Sequence, residues 1–154
     1  MAVTSEMRKI QFDERIFYVQ SMSALQADID CTEEVFYDQC SNRIDSILKS
    51  PEWEDLDFYI GVSESPRRRF YERGGHCNKY HSMHIVGAHA NSKLIASVEK
   101  ALIGTKKLFF SDRCKNKGGG GEHIDLKRDV ARFMYLCIGN ASAFRSKPSI
   151  AAVG

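Results

Sequence analysis

Three side chains near the middle of the chain could together hydrolyse a phosphodiester: Tyr59, Arg69 and Glu99. That reaction needs an oriented water, a cation to stabilise charge on the transferring phosphoryl group, and usually a divalent metal held by a carboxylate. Tyr59 falls in an apolar segment, Leu56 to Val62, that reads as a strand. Arg69 falls one turn into the basic helix behind it, Glu99 lies in the next helix between Val98 and Lys100, and Asn116 belongs to the flexible run KNKGGGG. Each residue alone has a bland explanation. A strand tyrosine usually packs, a run of arginines is usually a solvated face, and an asparagine beside glycines is usually plain loop. Their order and spacing, taken together, favour a site.

The elements that must hold these residues carry local signals. Ser65 stands where an N-cap belongs, Pro66 at the first helical position and Gly74-Gly75 just past the end, framing a short helix with the body RRRFYER. Asn91 can cap a second helix with Leu94, Ile95, Val98, Ala101 and Leu102 on its apolar side, ending at Gly104. His81 to His89 is a candidate strand. Upstream, Val35, Phe36, Cys40, Ile44, Ile47 and Leu48 recur at helical spacing between Asp30 and Lys49, with Asp30 and Glu33 forming a capping box and Ser50-Pro51 stopping the helix. Arg8 to Gln20 resembles one or two strands around a turn. Asp125 to Ile138 is apolar enough for a buried helix or a buried strand, and periodicity does not decide between them. The tail from Arg145 to Gly154 is expected to fray.

With 154 residues, 43% of them hydrophobic and 27% charged, the expectation is a single domain with one core. No run approaches the roughly 20 apolar residues that cross a bilayer, and no secretory signal opens the chain. Five cysteines, Cys31, Cys40, Cys77, Cys114 and Cys137, are odd in number and lack a CxxC pair, which suits a reducing compartment. The expected location is intracellular, cytoplasm or nucleus. The net charge of +2 hides a polarity along the chain: Met1 to Glu64 has 5 Lys+Arg against 14 Asp+Glu, and Ser65 to Lys117 has 12 against 3. One face could therefore attract polyanions, or the two segments could neutralise each other on folding.

In the order of these residues the chain resembles the GIY-YIG endonucleases over Phe58 to Gly121. Tyr59-Ile60-Gly61 matches the YIG half of the name, and the arginine that this family carries eight residues after the glycine is Arg69 here. Ser97 to Ile103 resembles the helix bearing the family's metal-binding glutamate, and Asn116 resembles its loop asparagine. The resemblance implies an α/β (α+β) fold with a small, mainly antiparallel three-stranded sheet flanked by helices. Residues 57–121 would form its catalytic core, and residues 1–56 would add N-terminal strands and an inserted helix. It further implies that Tyr59 orients or deprotonates the attacking water, Arg69 neutralises the scissile phosphate, Glu99 holds one Mg²⁺ or Mn²⁺, and Asn116 braces the site. The partner would be nucleic acid, DNA favoured, with Arg67, Arg68, Arg73, Lys106, Lys107, Lys115 and Lys117 as phosphate contacts, and a homodimer is one way to cut two strands.

Two positions depart from that family. No GIY tripeptide closely precedes Tyr59, and the nearest look-alike, Ile16-Phe17-Tyr18, would make Tyr18 the first-strand tyrosine. Four residues after Arg69, where the family has histidine or tyrosine, this chain has Arg73; Tyr71, His76, Tyr80 or His81 could replace it. A catalytically silent nucleic-acid-binding module is therefore the alternative expectation. The spacing Cys77-x3-His81-x2-His84, flanked by His76 and His89, resembles zinc spacing but lacks a second ligand pair at a familiar interval.

Overall fold

Three apolar segments become the long strands of one sheet: β2 (Phe58–Ser63), β3 (Ser82–His89) and β4 (Arg132–Ile138). The structure, a computed structural model, describes residues 15–19, 25, 29–121 and 123–141. A short strand, β1 (Ile16–Tyr18), precedes α1 (Glu33–Leu48); α2 (Pro66–Tyr71) follows β2, and α3 (Ser92–Phe109) follows β3. Single 3₁₀ turns lie at Pro51–Trp53 and His76–Asn78.

The sheet order is β1-β3-β4-β2. β4 runs antiparallel to both of its neighbours, whereas β1 lies parallel to β3, with Ile16 opposite Met83. The fold is thus α+β with a mixed, four-stranded sheet among the described residues, which corrects the expected three-stranded, mainly antiparallel one. The second half of the ambiguous segment near the C-terminus, Arg132–Ile138, is one of its two central strands. Both faces of β4 are covered, so its residues Met134 to Ile138 are buried without alternation, and a run of that kind carries no period to read. Residues 8–14 of the expected N-terminal strands, and the tail from Arg145, lie outside the described residues.

Alternation along the strands separates two cores. Phe58, Ile60, Val62, Met134, Leu136 and Ile138 face α1 and α3, meeting Phe36, Cys40 and Ile44 of the one and Ile95, Val98 and Leu102 of the other. Tyr59, Tyr135, Cys137, Met83 and Ile85 face the opposite side, with Phe70 of α2 and Tyr80. Lys106 ties the two helices of the first layer together: it is 2% exposed, bonds Ser41 Oγ at 2.8 Å and pairs with Asp45 at 2.8 Å.

Helix boundaries differ from expectation in three places. α2 ends at Tyr71, two residues short of the expected body, and Ser65 makes no side-chain cap hydrogen bond. Thr32, not Asp30, caps α1, because its hydroxyl accepts the Val35 N–H at 3.2 Å one turn ahead of the buried Phe36. In α3, Asn91 caps as expected, accepting the Leu94 N–H at 2.9 Å. The helix then continues past Gly104 to Phe109, since that glycine faces open space and one exposed glycine costs only about 1 kcal/mol against alanine. No described helix is long and apolar enough to cross a membrane.

Gly61 lies directly opposite Tyr135 in the β2–β4 ladder, and a Cβ there would stand 2.4 Å from both the Tyr135 Cζ and its hydroxyl oxygen. The ring occupies the space that any other residue's side chain would need. Gly61→Ala is expected to lower stability by about 1–3 kcal/mol, read as a shift of the urea midpoint, and a Tyr135→Leu background should shrink that loss. An equal loss in both backgrounds would mean that the ring is not the obstacle.

Candidate active site

β2 is an edge strand, and the segment after α3 runs along its free side. The Phe58 N–H donates to the Arg113 carbonyl at 2.8 Å, and the Lys115 N–H donates to the Phe58 carbonyl at 2.8 Å. Asn116 then takes over with its side chain, accepting the Ile60 N–H at 2.9 Å and donating to the Ile60 carbonyl at 2.8 Å. Farther on, His123 Nε2 lies 3.2 Å from the Val62 carbonyl. The Asn116 side chain therefore takes the place of one further strand residue, which explains its 8% exposure in a glycine-rich loop.

The same segment reaches Glu99. Gly120 and Gly121 both have positive φ, 92° and 84°, which turns the chain so that the Gly121 N–H donates to Glu99 Oε1 at 2.6 Å. Glu99 is 1% exposed, and its Oε2 lies 3.9 Å from His123 Nε2. A carboxylate on the buried stripe of an amphipathic helix is costly to desolvate without such a donor.

Two clefts meet at Tyr59. One, of about 290 Å³, is lined by Tyr59, His76, Lys79, Tyr80, Glu99, Asn116 and the loop glycines. The other, of about 480 Å³, is lined by Tyr59, Arg69, Arg128, Arg132 and Tyr135 among others, and His123 borders both. Burial raises the Tyr59 hydroxyl pKa, the Glu99 charge adds to the rise, and Arg69, within hydrogen-bonding reach, opposes it. Burial likewise raises the Tyr135 pKa, again against Arg69. Arg69 pairs with Glu72 at 2.9 Å in an exposed contact.

His76 completes the cluster. Its ring centroid is 4.7 Å from that of Tyr59, and its Nε2 is 2.9 Å from the Tyr135 hydroxyl. Burial, then the nearby Arg69 and Lys79 charges, pushes its pKa down to about 4, so it is neutral at neutral pH.

Tyr59, Arg69, Glu99 and Asn116 are thus gathered around one pair of clefts, with Lys115 and Lys117 at their rim. Tyr18 is not: it lies on β1 at the far edge of the sheet, 51% exposed and opposite Ile85. The strand beside β2 is β4, and the phenol there is Tyr135. Arg67, Arg68 and Arg73 lie on and just after α2, Arg67 resting over the Tyr71 ring at 5.3 Å. Lys107 is half-buried, and the Asp45 pair removes Lys106 from any binding surface. Tyr135, His123 and Lys79 had no signal of their own, although a glycine inside a strand does mark a close approach.

The histidines of the zinc-like segment have separate partners. His76 meets Tyr135, His84 Nε2 lies 3.1 Å from Ser82 Oγ, and His89 Nε2 lies 2.7 Å from the Cys31 carbonyl. Among the described residues, no three His, Cys, Asp or Glu side chains gather in a group that could hold a metal ion. No protein-family model, curated protein or solved structure matches this chain.

His84, like His76, is buried with its pKa pushed down to about 4 by desolvation. Each stays neutral in the fold while its unfolded counterpart protonates near pH 6.5, so the unfolded state binds more protons and stability falls as pH drops from about 6.5 toward 4. Unfolding free energies from urea titrations at neutral pH and near pH 5 should differ by on the order of 2 kcal/mol for each histidine. His84→Gln should remove about half of that difference, and a midpoint indifferent to pH in this window would refute the assignment.

Proposed function

We propose that this chain is a metal-dependent endonuclease that hydrolyses DNA phosphodiester bonds around Tyr59, by the one-metal route that its resemblance to the GIY-YIG endonucleases implies. One observation carries the reading: the Tyr59 phenol borders both clefts and feels the Glu99 charge from one side and the Arg69 charge from the other. A carboxylate for a metal, a cation for a phosphate and an ionisable hydroxyl between them are the parts that in-line hydrolysis needs.

Arg69 binds and neutralises the scissile phosphate. Its exposed pair with Glu72 is worth about 0–1 kcal/mol, which a phosphate can displace. Mg²⁺ or Mn²⁺ suits the donor set, because such an ion takes one or two carboxylates and completes its shell with waters and substrate phosphate. Glu99 offers one carboxylate to the cleft, oriented through Oε1 by the Gly121 N–H. Bound there, the ion would stabilise charge on the leaving oxygen.

Burial and the Glu99 charge keep the Tyr59 hydroxyl protonated at neutral pH, as suits a group that orients water. Neutralising Glu99 would remove one of those causes and move the phenol toward a base. Asn116 braces the strand beneath. Tyr135, on the strand beside Tyr59-Ile60-Gly61, supplies the second phenol in place of Tyr18. His76 supplies the imidazole that the position of Arg73 lacks, since it touches Tyr59 and Tyr135 together.

Supercoiled plasmid incubated with Mg²⁺ or Mn²⁺ should be nicked, and EDTA should stop it. Glu99→Gln and Arg69→Ala should each reduce the rate by about 10² or more, Tyr135→Phe should reduce it, and Tyr18→Phe should not. Normal cleavage by both the Glu99 and Arg69 variants would end this reading. Intact plasmid that shifts on a gel would favour a catalytically silent binding module, which Arg73 in the histidine position already suggests.

A further inference from the structure

Positive charge is committed differently in the two clefts that meet at Tyr59. Beside α2, Arg128 is held by Glu64 at 2.6 Å and Arg69 by Glu72 at 2.9 Å, Arg132 is buried and donates to the Asp125 carbonyl at 3.3 Å, and Asp125 also lines that cleft. The other cleft carries Lys79, Lys115 and Lys117, and Glu99 is the carboxylate on its wall. Among the described residues, neither Lys79 nor Lys117 has an ion-pair partner, and Lys115 reaches Asp57 only at 3.8 Å, with both side chains about half exposed. The three lysines come from different elements, Lys79 from the turn after His76–Asn78 and the other two from the segment along β2. They also line the adjoining trough that passes Asn140.

The half-buried ring of Tyr59 lines the same cleft, as do the buried rings of His76 and Tyr80. A positive groove that offers an aromatic ring is how proteins hold unpaired nucleic acid: the backbone follows the charge and a base rests on the ring. Shape argues the same way. Glu99 is 1% exposed on the wall of a 290 Å³ cleft. A duplex presents its phosphates as a stiff outer ridge and must unstack and unpair to lower one into such a recess, whereas an unpaired strand is spared that cost.

We propose that the substrate is an unpaired strand, whose backbone leaves the scissile position through this cleft with Lys79, Lys115 and Lys117 holding the neighbouring phosphates. The assignment of the scissile position rests on the nuclease reading; the charge and shape of the cleft do not.

The test is fluorescence anisotropy of the full chain in EDTA, with labelled oligothymidylate and its blunt duplex with oligoadenylate, between about 50 and 200 mM salt. The strand should bind at least about tenfold more tightly than the duplex. Lys79→Ser/Lys117→Ser should weaken strand binding about tenfold at low salt and flatten the salt slope by about 1.4, near 0.7 for each phosphate no longer neutralised. Equal affinity for strand and duplex, or a double variant with the parent slope, would overturn the proposal even if plasmid is nicked. Conversely, strand preference with lysine dependence, alongside oligothymidylate that stays uncut with Mn²⁺, would sustain the strand site and remove the nuclease reading. Melting curves confirm that the exposed substitutions leave the fold intact.

Discussion

The free edge of β2 must find hydrogen-bond partners, and much of the site follows from how it does so. An open edge leaves a row of unpaired N–H and C=O groups that invite association with other chains. Here residues 113 to 116 satisfy Phe58 and Ile60, first through backbone and then through the Asn116 amide. Arg113 anchors the start of that segment, its guanidinium donating to the carbonyls of Leu48, Trp53 and Leu56. With its start pinned and its middle laid along β2, the glycine-rich run closes against α3, where the Gly121 N–H meets Glu99. Covering an edge has therefore also oriented a buried carboxylate and set Lys115 and Lys117 over Tyr59.

The second constraint is steric. Because Gly61 has no side chain, the Tyr135 ring can lie across β2, and its hydroxyl reaches His76. Two phenols, an imidazole and a guanidinium then share one half-buried region, where each tunes the others. Desolvation drives both phenol pKa values up and the imidazole pKa down, so all three rings are neutral at neutral pH while Arg69 keeps its charge. A neutral, hydrogen-bonded aromatic floor beneath a single cation suits reception of a phosphate in the proposed reaction.

Folding partly cancels the charge polarity of the chain. Lys106 meets Asp45, Lys115 approaches Asp57 and Arg128 meets Glu64, each joining a basic residue to the acidic first segment. The first of these is buried and belongs to the packing of α1 on α3; the others are exposed, where ion pairs contribute little and salt screens them. Among the described residues, Lys79 and Lys117 at the narrower cleft take no part in such pairs.

Local chemistry by itself determined the parts whose signals are local. The Asn91 cap, the proline at the start of α2, the strand at Phe58–Ser63 and the spacing that brings Tyr59, Arg69, Glu99 and Asn116 around one pair of clefts were all legible, because caps and periodicity act within a few residues. The cap of α1 was misplaced by two residues and the end of α3 by five, since the Thr32 hydroxyl takes the Val35 N–H and one exposed glycine costs too little to end a helix. Tertiary structure alone decided which strand lies beside β2. Nothing local distinguishes Tyr18 from Tyr135 as the tyrosine of the neighbouring strand. β4 takes that place through its pairing with both β2 and β3, which joins residues far apart along the chain, Gly61 to Tyr135 and Ile85 to Tyr135, and whose cause is burial on both faces. His76, one of four open alternatives in the sequence, meets the Tyr135 hydroxyl that this pairing delivers to it, a contact with no local signal.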